Sequence, residues 1–152
     1  MKVIIFGSNS QGFHGAGSAG YAMRGTPHNT WRKDPDFLRA LKGPDKRGKW
    51  AVLGVPRGFQ QGKCKSGASY AIMTCTKPGA RQSVPVSEIE AQVDELIDFI
   101  KAHPDFQFGL TGFGAGYSGW PIETMRPIWD RLLEHDNVQW ISLTTNNKYA
   151  NS

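Results

Sequence analysis

Apolar and polar residues are distributed along the chain in short runs that predict alternating β-strands and α-helices. Residues 3–6 form an apolar, β-branched run that is typical of a buried strand. Similar runs, or alternation of apolar and polar residues, predict further strands at residues 50–55, 69–74, 106–110 and 138–143. Residues 58–67 lack such a pattern and are predicted to form a loop. The order of these segments indicates an α/β fold.

A long helix is predicted to begin near Ser87 and to end before Pro104. Ser87 and Glu90 have the spacing of a capping box. The apolar residues of this segment recur every three or four positions and form one stripe, made of Ile89, Val93, Leu96, Ile97 and Ile100. The stripe predicts a helix that packs on the core and keeps its acidic residues in solvent. Another helix is predicted at about residues 122–133, where Pro127 indicates either a kink or a later start.

Two glycine-rich segments each follow a predicted strand and precede a predicted helix. The first glycine loop comprises residues 7–17, and the second glycine loop comprises residues 111–121. Glycines leave backbone N–H groups accessible, and a helix N-terminus behind them favours an anion. In a parallel sheet both loops would leave from the carboxyl ends of strands and face one crevice. The pair predicts a site for an anionic ligand, although glycine also occurs in such turns for steric reasons alone.

The positive charge of the chain is concentrated in one segment. The 152 residues carry a net charge of +5. Residues 24–65 contain eleven Lys or Arg and three Asp, a net charge of +8, whereas the remainder carries −3. This segment could steer an anionic ligand inward, or keep the chain in solution, or bind nucleic acid through cations and the interleaved Trp31, Phe37, Trp50 and Phe59. The sequence leaves these roles open, and also whether the segment closes over the crevice.

The length and composition predict one domain, residues 1–152, with the basic segment as an insertion at about residues 25–67. No apolar run reaches the roughly 18 residues of a membrane span, and the chain does not open with a signal-peptide pattern, so we expect a cytoplasmic protein without membrane partners. Cys64 and Cys75 lack metal-ligand spacing and are expected to be free thiols. Neither a metal site nor a cofactor is predicted.

The two loops contain residues that resemble those of macro domains. The first loop and its flanks read FGSN-x-x-G-x-HGAG-x-A, and the second reads TGFG-x-G-x-x-G-x-P. The pattern GxGxxGxP at residues 114–121 is the more specific match. The resemblance covers residues 3–23 and about 69–133, and is to a small group of bacterial and bacteriophage proteins related to macro domains. It implies a three-layer α/β/α macro-domain-like sandwich with a mixed, largely parallel sheet.

The resemblance also implies how the two loops would share a nucleotide. Asn9 would hydrogen-bond the distal ribose, and the second glycine loop would hold a diphosphate. Asn9 and His14 are the catalytic candidates. The first strand has no acidic residue like the one that binds adenine in many macro domains, so the base is left unassigned. The implied ligand-binding residues are Gly7, Ser8, Asn9, His14, Gly15, Ala16, Gly17, Gly114, Ala115, Gly116, Tyr117, Ser118, Gly119 and Trp120.

Three functions are compatible with these residues. The favoured one is binding of an ADP-ribose-type or related cyclic nucleotide, with sequestration as a phage counter-defence activity. The alternative is an ADP-ribosyl hydrolase acting on modified protein or nucleic acid. Hydrolysis calls for a general base, and neither glycine loop contains a carboxylate or Lys; Glu123 is the nearest and is predicted to be a first-turn helix residue. The second alternative is nucleic-acid binding through the basic insertion.

Overall fold

The computed structural model describes residues 2–10, 57–61, 68–77, 79–116 and 118–140. These residues form one five-stranded sheet and two helices. The strands are β1 (Lys2–Asn9), β2 (Gly58–Gln61), β3 (Ala68–Cys75), β4 (Gln107–Leu110) and β5 (Val138–Trp140). The helices are α1 (Val86–Ala102), which follows β3, and α2 (Ile122–Leu133), which follows β4.

The sheet is mixed and largely parallel, as predicted. Its strand order is β2-β3-β1-β4-β5. The central strand β1 pairs in parallel with β3 on one side and β4 on the other, and β4 pairs in parallel with β5. Only β2 runs antiparallel within this sheet, at the edge beside β3. The carboxyl ends of four strands therefore lie along one edge of the sheet.

The central strand is apolar on both sides because both faces of the sheet are covered. Ile5 packs with α1 and α2 in the main core, whereas Ile4 and Phe6 on the opposite face are each 1% exposed. Continuous apolar runs of this kind are typical of parallel strands buried on both faces. The arrangement confirms an α/β sandwich.

Helix α1 buries the stripe that its sequence predicts. Ile89, Val93, Leu96 and Ile100 are buried against the sheet. The predicted capping box is wrong: the residue before the helix is Pro85, no side chain caps the N-terminus, and Ser87 lies inside the first turn. Helix α2 runs from Ile122 through Pro127 to Leu133, so the later start allowed by Pro127 does not occur.

Two other predicted boundaries also differ from the structure. Residues 58–61 were predicted to be loop but form β2. Gly7, Ser8 and Asn9, assigned to the first glycine loop, are the last residues of β1. The predicted strand at residues 50–55 and Cys64 lie outside the described residues, whereas Cys75 is a buried free thiol. Neither described helix is long and apolar enough to cross a membrane.

Candidate functional site

The two glycine loops leave the sheet from neighbouring strands. The first continues from the carboxyl end of β1 and the second from the carboxyl end of β4, and the register pairs Ile5 of β1 with Leu110 of β4. Thr111, the first residue after β4, donates both its N–H and its hydroxyl to the Ile5 carbonyl, at 3.3 and 2.7 Å. The second glycine loop therefore begins against the strand that delivers the first.

Gly7 makes this close approach possible. A Cβ added at Gly7 would lie 3.2 Å from the Thr74 hydroxyl and 3.4 Å from the Cβ of Phe113. The distance to the Thr74 oxygen is shorter than most contacts that a Cβ makes, and the distance to the Phe113 Cβ is at the short limit of ordinary van der Waals contact. Phe113 belongs to the second glycine loop, so the absence of a side chain at residue 7 lets that loop lie directly on β1.

A buried relay of hydroxyl groups joins the two loops through β3. Ser118 of the second glycine loop donates to Thr74 Oγ1 at 2.6 Å, and the Thr74 hydroxyl is 3.4 Å from the Ser8 carbonyl that it faces. The Cys75 thiol lies 3.2 Å from Ser118 Oγ. Ser8, Thr74 and Ser118 are 3%, 2% and 4% exposed. Buried polar groups that satisfy one another in this way fix the relative positions of the segments that carry them.

The second glycine loop has a defined internal structure. Gly114 and Gly119 have φ angles of 88° and 75°, a region that side-chain-bearing residues rarely adopt. The N–H of Gly119 donates to the Gly116 carbonyl, and the N–H of Trp120 donates to the Gly114 carbonyl, both at 3.0 Å. These two donors are therefore used inside the loop in this conformation, although Gly119 was predicted to offer its N–H to a ligand.

Helix α2 supports this loop from below. A Cβ at Gly114 would lie 2.4 Å from Met125 Cε, so the methionine packs directly against the glycine backbone. The Trp129 indole donates to the Phe113 carbonyl at 3.1 Å, and the two aromatic rings meet edge to face. Met125 and Trp129 are fully buried. The loop is thus fixed to the start of the helix that follows it.

Gly116 differs from the other glycines of the site. It is exposed, its φ angle is not positive, and a Cβ placed on it would meet no atom of the described residues within 4 Å. Its N–H forms no hydrogen bond within the described part of the chain. Neither backbone conformation nor packing in this structure requires glycine here, which leaves an open, accessible stretch of backbone at the tip of the loop.

A third segment, which was not predicted to belong to the site, also contacts the second glycine loop. We call residues 79–83 the Arg81 turn. Gln82 donates its backbone N–H to the Ser118 carbonyl at 2.6 Å and its side-chain amide to the Gly119 carbonyl at 3.0 Å. The Arg81 guanidinium lies over Gly119. The feature of the chain that could have indicated this contact is the position of the turn directly after β3. That strand runs parallel to β1 and β4, which carry the two glycine loops.

Apart from the glycines described above, the predicted site residues fall into three groups: buried residues, half-buried residues, and residues outside the described ranges. Ser8 and Asn9 are buried at the end of β1, and Ser118 is buried in the hydroxyl relay. Ala115 and Trp120 are half-buried and pack against the core, and the Trp120 Nε1 has no hydrogen-bond partner among the described residues. His14, Gly15, Ala16, Gly17 and Tyr117 lie outside the described residues.

The described part of the site offers hydrogen-bond donors and cations rather than a cluster of ionisable groups. No three His, Cys, Asp or Glu side chains in the described ranges are placed to hold a metal ion. Glu123 lies in the first turn of α2, as predicted. Lys77 and Arg81 are exposed in the connection between β3 and α1. This composition suits recognition of an anion.

Comparison with known proteins adds a structural relative. No protein-family model matches the sequence, and no curated protein matches it. The fold is similar to that of the macrodomain of Mycobacterium tuberculosis DarG, with 17% sequence identity and a TM-score of 0.52. The similarity covers 91% of this chain and 85% of that chain. It confirms the macro-domain-like fold.

Proposed function

We propose, from the macro-domain-like fold and the geometry of the sheet edge, that the chain binds an ADP-ribose-type or related cyclic nucleotide. The observation that carries the proposal is the second glycine loop. It is fixed to β1 through Gly7 and to β3 through Ser118, yet Gly116 at its tip is open and exposed. A rigid loop with accessible backbone next to a helix N-terminus is suited to a phosphate group.

The nucleotide would lie along the carboxyl edge of the sheet. The diphosphate would lie at the second glycine loop, where Gly116 offers a backbone N–H. The distal ribose would lie near Asn9, which ends β1 on the adjacent strand. Macro domains, which both glycine loops resemble, bind ADP-ribose in this order. Trp120 or Tyr117 of the same loop would stack on a ring of the ligand or close the pocket.

Binding without turnover is favoured by the residues of the two loops. Neither contains a carboxylate or Lys, and Glu123 lies in the first turn of α2 instead. A protein of this kind would sequester its ligand, for example a signalling nucleotide in the cytoplasm of a phage-infected bacterium. Nucleic-acid binding through residues 24–65 would instead give an affinity that falls steeply with salt.

One observation favours an ADP-ribosyl hydrolase as a second candidate. Lys77 is exposed two residues after β3, at the same sheet edge as both loops. The topology brings this amine to the same edge from a third strand, outside both loops. Together with Asn9 and His14, Lys77 is the side chain to test for turnover.

A titration followed by recovery of the ligand separates these functions. ADP-ribose, its cyclic isomers and NAD are titrated into the protein by calorimetry, and the bound ligand is then recovered by denaturation and identified by mass. Intact ligand supports sequestration. Free ADP-ribose is the product of an ADP-ribosyl hydrolase, so the hydrolase is tested with an ADP-ribosylated protein or oligonucleotide. Release of ADP-ribose from it would support this second function, and Lys77→Met should then abolish the release. No binding of any of these nucleotides would contradict the proposal.

A further inference from the structure

The Arg81 turn contacts the second glycine loop at three points. These contacts are additional to the hydrogen bonds that the loop forms within itself. Two are the hydrogen bonds from Gln82 to the carbonyls of Ser118 and Gly119. The third is the guanidinium of Arg81 against Gly119. Gln82 has a φ angle of 49°, a conformation that residues other than glycine adopt at a cost of about 1 kcal/mol or more. Its two hydrogen bonds to the loop offset that cost.

The guanidinium of Arg81 lies directly on the loop backbone. A Cβ added at Gly119 would be 2.6 Å from Arg81 Cζ, 2.8 Å from Nη2 and 3.0 Å from Nε. The absence of a side chain at Gly119 thus gives the planar group room to approach. Glycine at residue 119 serves two purposes, the positive φ of the loop and the contact with Arg81.

The charge of Arg81 is not neutralised within the described part of the chain. Arg57 and Arg131 form ion pairs with Glu95 and Asp94, at 2.6 Å in both cases, whereas no carboxylate among the described residues pairs with Arg81. Arg81 is also exposed. A guanidinium without a carboxylate partner among the described residues therefore lies against Gly119, whose N–H donates to the carbonyl of Gly116 at the tip of the second glycine loop.

We propose that Arg81 binds the phosphate group that the second glycine loop holds. This inference rests on the proposed function and adds a residue to it. The loop by itself supplies only neutral backbone donors, and two of those are used internally. A diphosphate carries negative charge at every accessible pH, and arginine binds phosphate oxygens through paired, parallel N–H groups. Arg81 supplies the charge that the loop lacks.

The variant Arg81→Gln tests this role, with Arg131→Gln as the matched control. Arg131 lies in the last turn of α2, at the opposite edge of the sheet. We expect Arg81→Gln to bind ADP-ribose about 10- to 100-fold more weakly, the range for one charged hydrogen-bonding group. Arg131→Gln should bind as the wild type does. Arg81→Lys, which keeps the charge but not the planar donor pair, should recover part of the affinity.

The salt dependence distinguishes phosphate binding from a purely structural role. If Arg81 meets a phosphate, the affinity of the wild type falls more steeply with added NaCl than that of Arg81→Gln. If Arg81 only supports Gly119, both affinities fall with the same slope. In the wild-type protein, the Arg81 Nε–H NMR resonance should shift when ADP-ribose is added, a readout that does not depend on how any variant folds.

The outcomes separate this inference from the proposed function. Binding of ADP-ribose by wild type and Arg81→Gln with equal affinity and equal salt slope would overturn the role of Arg81 and leave the proposed function intact. Failure of the wild type to bind ADP-ribose would overturn both.

Discussion

Individual residues of the site are held by polar contacts that are almost completely buried. Thr74 has a central place because it accepts a hydrogen bond from Ser118 of the second glycine loop and faces the Ser8 carbonyl of β1. Its hydroxyl group lies next to Gly7. A side chain of the same shape without the hydroxyl would preserve the packing and remove the hydrogen bonds of the relay.

Thr74→Val is therefore expected to destabilise the protein by about 1 kcal/mol, the usual net value of one buried hydrogen bond. Among the described residues, the Ser118 hydroxyl would keep only the Cys75 thiol as a hydrogen-bond partner. Urea unfolding followed by circular dichroism measures the change. Thr74→Ser keeps the hydroxyl but removes the buried methyl group, and so reports the packing contribution separately. A Val variant as stable as the wild type would show that the relay contributes nothing.

Tyr70 is a second residue whose surroundings are tightly defined. Burial raises the pKa of its phenol above the usual value, the nearby Glu95 carboxylate raises the pKa further, and Arg57 lowers it. In the unfolded chain the phenol ionises near its ordinary pKa of about 10. The folded state therefore keeps the proton to higher pH than the unfolded state does.

The pH dependence of stability follows from this difference. Since the unfolded chain loses the Tyr70 proton first, the contribution of Tyr70 is complete below about pH 10 and decreases as the pH rises above that value. Urea unfolding of the wild type and of Tyr70→Phe at about pH 8 and pH 11 measures it. The stability of the wild type relative to the Phe variant should fall between these pH values. A constant difference would show that the two states of Tyr70 titrate alike.

The sequence predicts residues of the site when a local pattern marks them. Gly114 and Gly119 belong to a spaced motif, and both have the positive φ angles that favour glycine. Thr74 and Arg81 carry no local pattern. They reach the site because β3 lies next to β1 and because the chain after β3 turns back onto the second glycine loop, and contacts between distant segments depend on strand order rather than on sequence spacing.

At the scale of elements, α1 and β3 are joined by one buried side chain. The amide of Gln92 accepts from the Met73 N–H at 2.6 Å and donates to the Met73 carbonyl at 2.8 Å. The pairing of β2 with β3 ends at Gly58 and Ala71, so within the described ranges no strand residue pairs with Met73 on that side. Gln92 takes the place of the missing strand residue and explains a buried polar group in the apolar face of α1.

Gln92→Met should lower stability by about 2 kcal/mol, because a side chain of similar length leaves a partly buried N–H and C=O without partners. Gln139→Met, at an exposed position of β5, is the control and should change stability by less than about 0.5 kcal/mol. Both are measured by urea unfolding. Equal effects of the two substitutions would contradict this role for Gln92.

Elements with a clear apolar period were predicted well, and those without one were not. The stripe Ile89, Val93, Leu96 and Ile100 identified α1, and alternation identified β4. Strand β2 was missed because Phe59 is its one apolar side chain and its antiparallel pairing with β3 supplies the order that the sequence lacks. The capping box was wrong because the helix begins at Val86, one residue before Ser87, and Pro85 occupies the N-cap position.

At the scale of the whole molecule, the strand pattern predicted an α/β fold, and the resemblance carried by the glycine motifs implied the sandwich and the mixed sheet. The register of the strands could not be predicted, and the register decides which residues of neighbouring strands lie side by side. It places Ile5 against Leu110 and Ser8 against Met73, which brings the second glycine loop onto β1. The site is thus a property of the sheet edge, with three strands contributing rather than the two that the loops indicate.

The central claim is that a nucleotide diphosphate lies at the open tip of the second glycine loop. Gly116→Glu tests it most directly. The structure has room for a side chain at this residue, so the variant should fold, while its carboxylate would repel a phosphate and fill its place. Ala102→Glu, an equal change of charge at the exposed end of α1 and at the opposite sheet edge, is the control.

Isothermal titration with ADP-ribose compares the two variants with the wild type. We expect Gly116→Glu to lose at least about 100-fold in affinity, since a like charge and a steric clash act together, and Ala102→Glu to bind as the wild type does. Gly116→Glu binding ADP-ribose as tightly as the wild type would contradict the account.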